Sequence, residues 1–156
     1  MVIYVGDARQ DVINRIRTNH CNGNVEASSF RRHVAEAKGY KIKLSKRAKG
    51  STKKRIDLPN QKTGEIVISN YIRSGEWRYV ICSSYKEAHD FQWFVIAQLN
   101  PLLNKICKPW NAKNLHRYQF LLNHLLNSTA FSCNKLCGKP SGPGVYAFYH
   151  NQSPRN

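Results

Sequence analysis

The sequence predicts an α/β (α+β) domain in which a small antiparallel sheet of three strands is flanked by helices. Three observations predict it. Short β-branched and aromatic runs stand at Val2–Val5, Trp77–Cys82 and Val145–Tyr149. Apolar residues recur at helical spacing in the stretches between them. The hydrophobic fraction is 41% over 156 residues, enough for one core without metal or disulfide staples. A single domain over 1–156 is therefore expected. No apolar run approaches membrane-spanning length and the N-terminus lacks a signal-peptide pattern, so a soluble cytoplasmic (intracellular) protein with no membrane partner is expected.

Taken in order, Val2–Val5 is a strand that breaks at Gly6. Val12, Ile13 and Ile16 then form the apolar side of a basic helix carrying Arg15 and Arg17. Asn22-Gly23 signals a turn, and a helix is predicted from Ser28 to Lys38, closed by Gly39. In Lys41–Arg55, eight of fifteen residues are Lys or Arg. Its first residues alternate like an edge strand, and the remainder reads as a flexible basic loop. Pro59-Asn60 and Lys62-Thr63-Gly64 read as turns, and Ile66–Ile72 fits either strand or helix. After Ser74-Gly75 comes the Trp77 strand, then a helix over Tyr85–Leu99 with Ser84 as N-cap and Pro101 beyond its end. A last helix is predicted over Lys113–Leu126, and a Gly/Pro/Ser-rich link leads to Val145–Tyr149.

Lys and Arg total 25 against nine acids, a formal charge of +16 and a pI near 10. Such an excess points to polyanionic partners, nucleic acid first. The one-signed run at 41–55 lacks acidic neighbours, and an external phosphate backbone would offset its self-repulsion. Five cysteines without a secretion pattern are expected as free thiols. Cys133-x-x-x-Cys137 has loose spacing and no second pair, so a zinc site is not expected.

Three separated segments together resemble the GIY-YIG nuclease family. Gly144-Val145-Tyr146 looks like its first signature and Tyr4-Val5-Gly6 like its second, followed by the helix bearing Arg15. Phe91–Asn104, FQWFVIAQLNPLLN, looks like the family's later helix with its Pro-x-x-Asn ending. The order departs from the family, where the GVY-type strand comes first. Joining the termini gives one hairpin, so the chain reads as circularly permuted with its ends in that turn. The alternative is a strand-swapped dimer. The second departure is Gln92, which falls where the family has its metal-binding glutamate.

The resemblance implies a metal-dependent DNA endonuclease that hydrolyses phosphodiester bonds of double-stranded DNA with Mg²⁺ or Mn²⁺, inactive or weakened by Gln92. Its site would comprise Tyr4, Tyr146, Arg15, His33, Gln92 and Asn104. Tyr4 or Tyr146 would act as base or water orienter once nearby cations depressed its pKa, and Arg15 would hold the phosphate. Gln92 would occupy the metal-ligand position, with Glu26, Asp90 or Glu87 as possible substitutes. Tyr4, Val80, Tyr146 and the Gln92 helix are expected on one concave basic face. Duplex contacts are expected from Arg17, His20, Arg31 and Arg32, and from Lys41, Lys43, Lys46, Arg47, Lys49, Lys53, Lys54 and Arg55. His20 is also a candidate, with His33, for proton transfer. The alternatives are a non-catalytic double-stranded DNA-binding module and an RNA-binding basic protein.

Overall fold

The three β-branched runs do meet. In the computed structural model, which describes residues 1–155, they are β1 (Val2–Ala8), β4 (Glu76–Ile81) and β5 (Gly144–Tyr149). They form an antiparallel sheet of order β1-β5-β4, so the last strand in the chain is the central one. The hairpin between β5 and β1 has no covalent turn. Met1 N donates to His150 O and His150 N to Met1 O, each at 3.1 Å. Within this chain, β5 therefore completes its own sheet.

Helices cover both faces. α1 (Val12–Asn14) opens under an Asp11 cap and runs on as a π-helical segment, Arg15–Cys21. α2 (Ser29–Ala37) starts at Ser28, whose hydroxyl accepts from Arg31 N. α3 (Gln61–Arg73) settles the ambiguous Ile66 stretch as helix, and Lys62-Thr63-Gly64 forms its first turn instead of a loop. The Asn60 side chain accepts from Thr63 N, a cap that lets the helix begin across a glycine. α4 (Tyr85–Leu99) and α5 (Leu115–Asn127) follow β4. The basic stretch is not a flexible loop. It folds as a separate two-stranded ribbon, β2 (Ile42–Lys46) and β3 (Thr52–Ile56).

Strand alternation sends residues to two layers. One core joins Ile3, Trp77, Tyr146 and Phe148 to Ile16, Phe30, Val34 and Ile68, from the α1–α3 side. The other joins Val5, Val145 and Ala147 to Phe91, Val95, Leu121 and Leu125 of α4 and α5. A register shift between Val2 and Tyr4 turns Ile3 and Tyr4 toward the same layer. Cys21 and Cys133 are joined by a disulfide with Cα atoms 6.0 Å apart, correcting the expectation that all five cysteines are free; Cys82, Cys107 and Cys137 are free. No helix among the described residues is long and apolar enough to cross a membrane.

Candidate active site

The chemistry-bearing residues gather on the α1–α3 side of the sheet. Tyr146 stands on the central strand, buried at 1% exposure and paired in register with Gly6 on one side and Tyr79 on the other. Its ring lies across Gly6. A Cβ there would sit 2.6 Å from Tyr146 Cζ, so only glycine admits the ring. The Tyr146 hydroxyl is 2.6 Å from His20 Nε2, and His20 Nδ1 is 2.7 Å from the Ser28 hydroxyl. His20 is 1% exposed and stacks on Trp77 with ring centroids 5.6 Å apart. Tyr4 is half-buried, stacked on Phe30 at 4.8 Å and 6.5 Å from the Tyr146 ring.

Hydrogen positions follow from accounting. Ser28 is fully buried, and its oxygen already accepts from Arg31 N at 3.1 Å. Its hydroxyl proton has His20 Nδ1 as its one acceptor among the described contacts. A buried donor left without an acceptor costs about 1–3 kcal/mol, which favours Ser28 O–H donating to Nδ1. His20 Nε2–H then donates to Tyr146, leaving the phenolic proton free for another acceptor.

Arg15, half-buried, bears electrostatically on Tyr4, Tyr146 and His20 together. A concavity of about 270 Å³ opens beside it, lined also by Arg9, Gln10 and Asn14. The expected depression of the tyrosine pKa values does not occur. Burial raises Tyr4 to about 12 and Tyr146 well above 10.0, because desolvation outweighs Arg15. Burial, with Arg15 and Arg31 adding to it, holds His20 well below 6.5, so phenol and imidazole are both neutral near pH 7.

The second shell of candidates is mixed. His33 lies 6.2 Å from the Tyr4 ring, and its Nδ1 is 3.5 Å from Glu36, an ion-pair distance without hydrogen-bond geometry. Burial, with Lys105 next, lowers its pKa. Asn104 grips the outer edge of β1: its Oδ1 accepts from Val5 N at 2.8 Å and its Nδ2 donates to Val5 O at 2.9 Å. That contact fixes the strand next to Tyr4 and explains why an asparagine ends the α4 segment. Arg31 is 0% exposed, bound to Glu65 at 2.7 Å, Ser69 at 2.8 Å and His20 O at 2.8 Å. It braces the π-helical segment from within and cannot be a duplex contact. His20 is equally enclosed and is not one either. Arg17 and Arg32 are half-buried, and the Arg32 guanidinium reaches Glu26 O and the Ser29 hydroxyl.

One expected convergence fails. Val80 pairs with Val145 and packs in the α4–α5 layer, not beside the tyrosines. Gln92 is on α4, which packs in that same layer through Phe91 and Val95. One residue after Phe91, it lies about 100° around the helix from that stripe. It shares the side of His89, which reaches Asp7 of β1 at 2.8 Å.

The donor set at this position is a poor match for a divalent metal. Gln92 Oε1 is buried without a hydrogen-bond partner, so an acceptor is oriented there. It is a neutral amide oxygen, whereas Mg²⁺ is held through carboxylates and water. The substitutes are occupied. Glu26 pairs with Arg55 at 3.0 Å, Glu87 with Arg117 at 2.9 Å, and Asp90 takes Asn111 N and the Tyr118 hydroxyl. Among the described residues no group of three His, Cys, Asp or Glu side chains is placed to hold a metal. The residues present do not fit a firmly held Mg²⁺.

A cavity of about 680 Å³ opens between the first turns of α4 and α5, among Ser84, Glu87, Asp90 and Arg117. It is remote in layer from the tyrosine–histidine cluster, and its carboxylates are already satisfied. The cluster is the better candidate because Arg15 bears on its hydroxyl and imidazole groups and also lines the neighbouring opening.

A family model described as the GIY-YIG catalytic domain matches residues 1–122, more than three-quarters of the chain. The chain belongs to the GIY-YIG catalytic domain family. No curated protein and no solved structure matches it. Its α+β architecture is that of a GIY-YIG-like domain, and membership supports a nuclease-type function. GIY-YIG nucleases act on DNA and generally use a divalent metal.

The sequence reading did not include Ser28 and Phe30 in this candidate site. Ser28 carried a signal, its place as the first residue of an amphipathic run, but capping says nothing of His20. Phe30 looked like any core aromatic. The widening of the helix at Arg15–Cys21, where Asn22 N reaches Arg17 O at 3.0 Å, has no sequence signal at all.

Proposed function

We propose that this chain is an endonuclease domain that hydrolyses phosphodiester bonds of double-stranded DNA, with turnover held down by Gln92. The observation that carries the reading is the neutral His20–Tyr146 pair at 2.6 Å beside Arg15. In it Arg15 holds a scissile phosphate through its planar fork. His20 fixes the buried Tyr146 hydroxyl at the floor of the site, and the Tyr4 hydroxyl beside it meets a substrate oxygen or orients the attacking water. Neutral at pH 7, Tyr146 does not start as a base. Tyr4, next to it and half-buried, lines the approach. Asn104 and His33 act as positioning residues. A divalent ion, Mg²⁺ or Mn²⁺, would supply charge neutralisation in the family's chemistry. With glutamine at 92 this chain recruits it weakly. An intracellular place of action follows from a DNA substrate.

We also read the chain as circularly permuted. Supporting this, the Gly144-Val145-Tyr146 strand is central and pairs with the Tyr4 strand across the chain ends, and the family match stops at residue 122 before reaching it.

Nicking of supercoiled plasmid in Mg²⁺ or Mn²⁺ tests the proposal. Gln92→Glu is expected to raise cleavage by one to several orders of magnitude over the unaltered chain, and Arg15→Ala in that background to abolish it. If Gln92→Glu folds, binds DNA and still does not nick, the domain is a non-catalytic duplex-binding module and the nuclease proposal fails.

A further inference from the structure

The β2–β3 ribbon is a basic sheet of its own, separate from the three-stranded sheet. Its root is anchored: Ile56 is buried at 5% exposure, and Asp57 N donates to Lys41 O at 2.8 Å. Its tip is closed by Arg47 N donating to Ser51 O at 2.7 Å, with Gly50 at φ 83° making the turn. Directly paired residues of an antiparallel ladder share a face. Ser45–Lys53 and Lys43–Arg55 make the inner face, where Lys53 and Arg55 pair with Glu26 at 3.5 and 3.0 Å. Ile42–Ile56, Leu44–Lys54 and Lys46–Thr52 make the outer face: Ile56 roots it in the core, and toward the tip Leu44, Lys54, Lys46 and Thr52 are all exposed, Leu44 at 68%. Lys41, Lys46, Arg47, Lys49 and Lys54 have no ion-pair partner among the described contacts.

That outer face has the chemistry of base edges in a groove. Lysine donates to guanine O6 and N7, threonine bonds either base class, and an apolar side chain meets the thymine methyl. Its size also matches. Five residues per strand span about 17 Å, and the major groove, about 12 Å wide, admits a two-stranded ribbon. At its root the ribbon leads to the candidate active site. A concavity of about 390 Å³ is bounded by Arg47, Lys53 and Lys54 from the ribbon and by Arg32, His33 and Lys105 from the body. His33 is the neighbour of Tyr4.

We propose that the β2–β3 ribbon inserts its Leu44, Lys46, Thr52 and Lys54 face into the major groove of B-form DNA. Lys41, Arg47 and Lys49 lie on the flanking phosphates, and the basic concavity carries the adjacent strand toward Tyr4. The ribbon thus contributes duplex form and base contacts, while the tyrosine cluster contributes the chemistry. The inference rests on duplex DNA as the substrate of that cluster.

The test measures binding of the full chain to a short DNA duplex of mixed sequence in chelator, so cleavage does not enter. Each phosphate contact contributes about 0.9 to the slope of log K against log salt. The triple variant Lys41→Gln, Arg47→Gln, Lys49→Gln should lower that slope by about 2.7. Guanine N7 atoms under the bound protein should resist methylation, and Leu44→Asp with Lys54→Gln should abolish the protection. An unchanged slope, or no N7 protection, overturns the proposal. So does equal affinity for duplex RNA with the same loss in the triple variant, because the A-form major groove is too narrow to admit the ribbon. A chain that shows groove protection but never nicks plasmid would sink the nuclease proposal and leave this one standing.

Discussion

Replacing Gly6 by alanine tests whether the Tyr146–His20 pair depends on strand register, as the geometry requires. The added Cβ would lie 2.6 Å from Tyr146 Cζ and 2.9 Å from Cε2, against about 3.5–4.0 Å for carbon atoms in contact. The ring is enclosed by Gly6, His20 and Trp77 at 1% exposure, so it must shift by close to 1 Å. Forcing one carbon into a filled core costs about 1–3 kcal/mol. A displaced ring also leaves buried His20 Nε2–H without its acceptor, about another 1–3 kcal/mol. The expected loss is therefore about 2–5 kcal/mol, read as a shift in urea midpoint at constant m. Tyr146→Phe provides the internal control. It removes the nearest atom and has already surrendered the His20 bond, so Gly6→Ala should cost distinctly less there than in the unaltered chain. A Gly6→Ala loss under about 0.5 kcal/mol, or equal losses in both backgrounds, would refute the account.

The pH dependence has a definite sign. His20 titrates well below its ordinary 6.5 in the folded chain, so the unfolded chain binds the extra proton and stability falls as pH drops below about 6.5. His33 and His150 are lowered too and act in the same direction. Urea midpoints at pH 7.5 and 5.5 should differ, with the higher at pH 7.5, and a flat profile would exclude a buried neutral His20. The Cys21–Cys133 bridge closes a separation of 112 residues, for which loop-closure entropy alone predicts about 4–5 kcal/mol. Reduction, or Cys21→Ser, should lower the urea midpoint accordingly. A change under about 1 kcal/mol would mean that the bridge does not tie the π-helical segment.

How much of this was legible from residues follows from what kind of force placed each one. The strands at Val2, Trp77 and Val145 and the helix at Tyr85–Leu99 were legible because burial writes a period into the sequence. The ribbon at 42–56 was half-legible, since Lys41–Leu44 alternates, but its second strand is nearly all polar and its pairing depends on the Gly50 turn. Arg31 was misplaced because a buried, fully paired arginine and a solvated one look alike in sequence. Only the approach of Glu65 and Ser69 from α3 separates them. The tyrosine pKa values went the same way: composition counted cations, while burial, which no count reveals, set the direction. Val80 was assigned to the tyrosine face, although Tyr79 pairs with Tyr146 and Val80 with Val145, one step on and therefore on the other side.

β1 is where the two halves of the site meet. Tyr4 points to the tyrosine–histidine layer, while Asp7 points to α4 and is held by His89, one helical turn from Gln92. The Asp7 carboxylate raises the pKa of both Tyr4 and Tyr146, adding to their desolvation, and Arg15 alone does not reverse the sum. Only more positive charge near this strand would bring a phenol into the range where it exchanges protons with water at neutral pH. A glutamate at 92 would place anionic oxygen where such charge could be held, next to the strand that feels it. The neutral amide offers the same shape without the attraction. On this proposal, charge held at position 92 on α4 would bear on the protonation of tyrosines on the opposite layer. The corresponding expectation is that metal added to Gln92→Glu lowers the apparent pKa of a tyrosine absorbance titration, with no such shift in the unaltered chain.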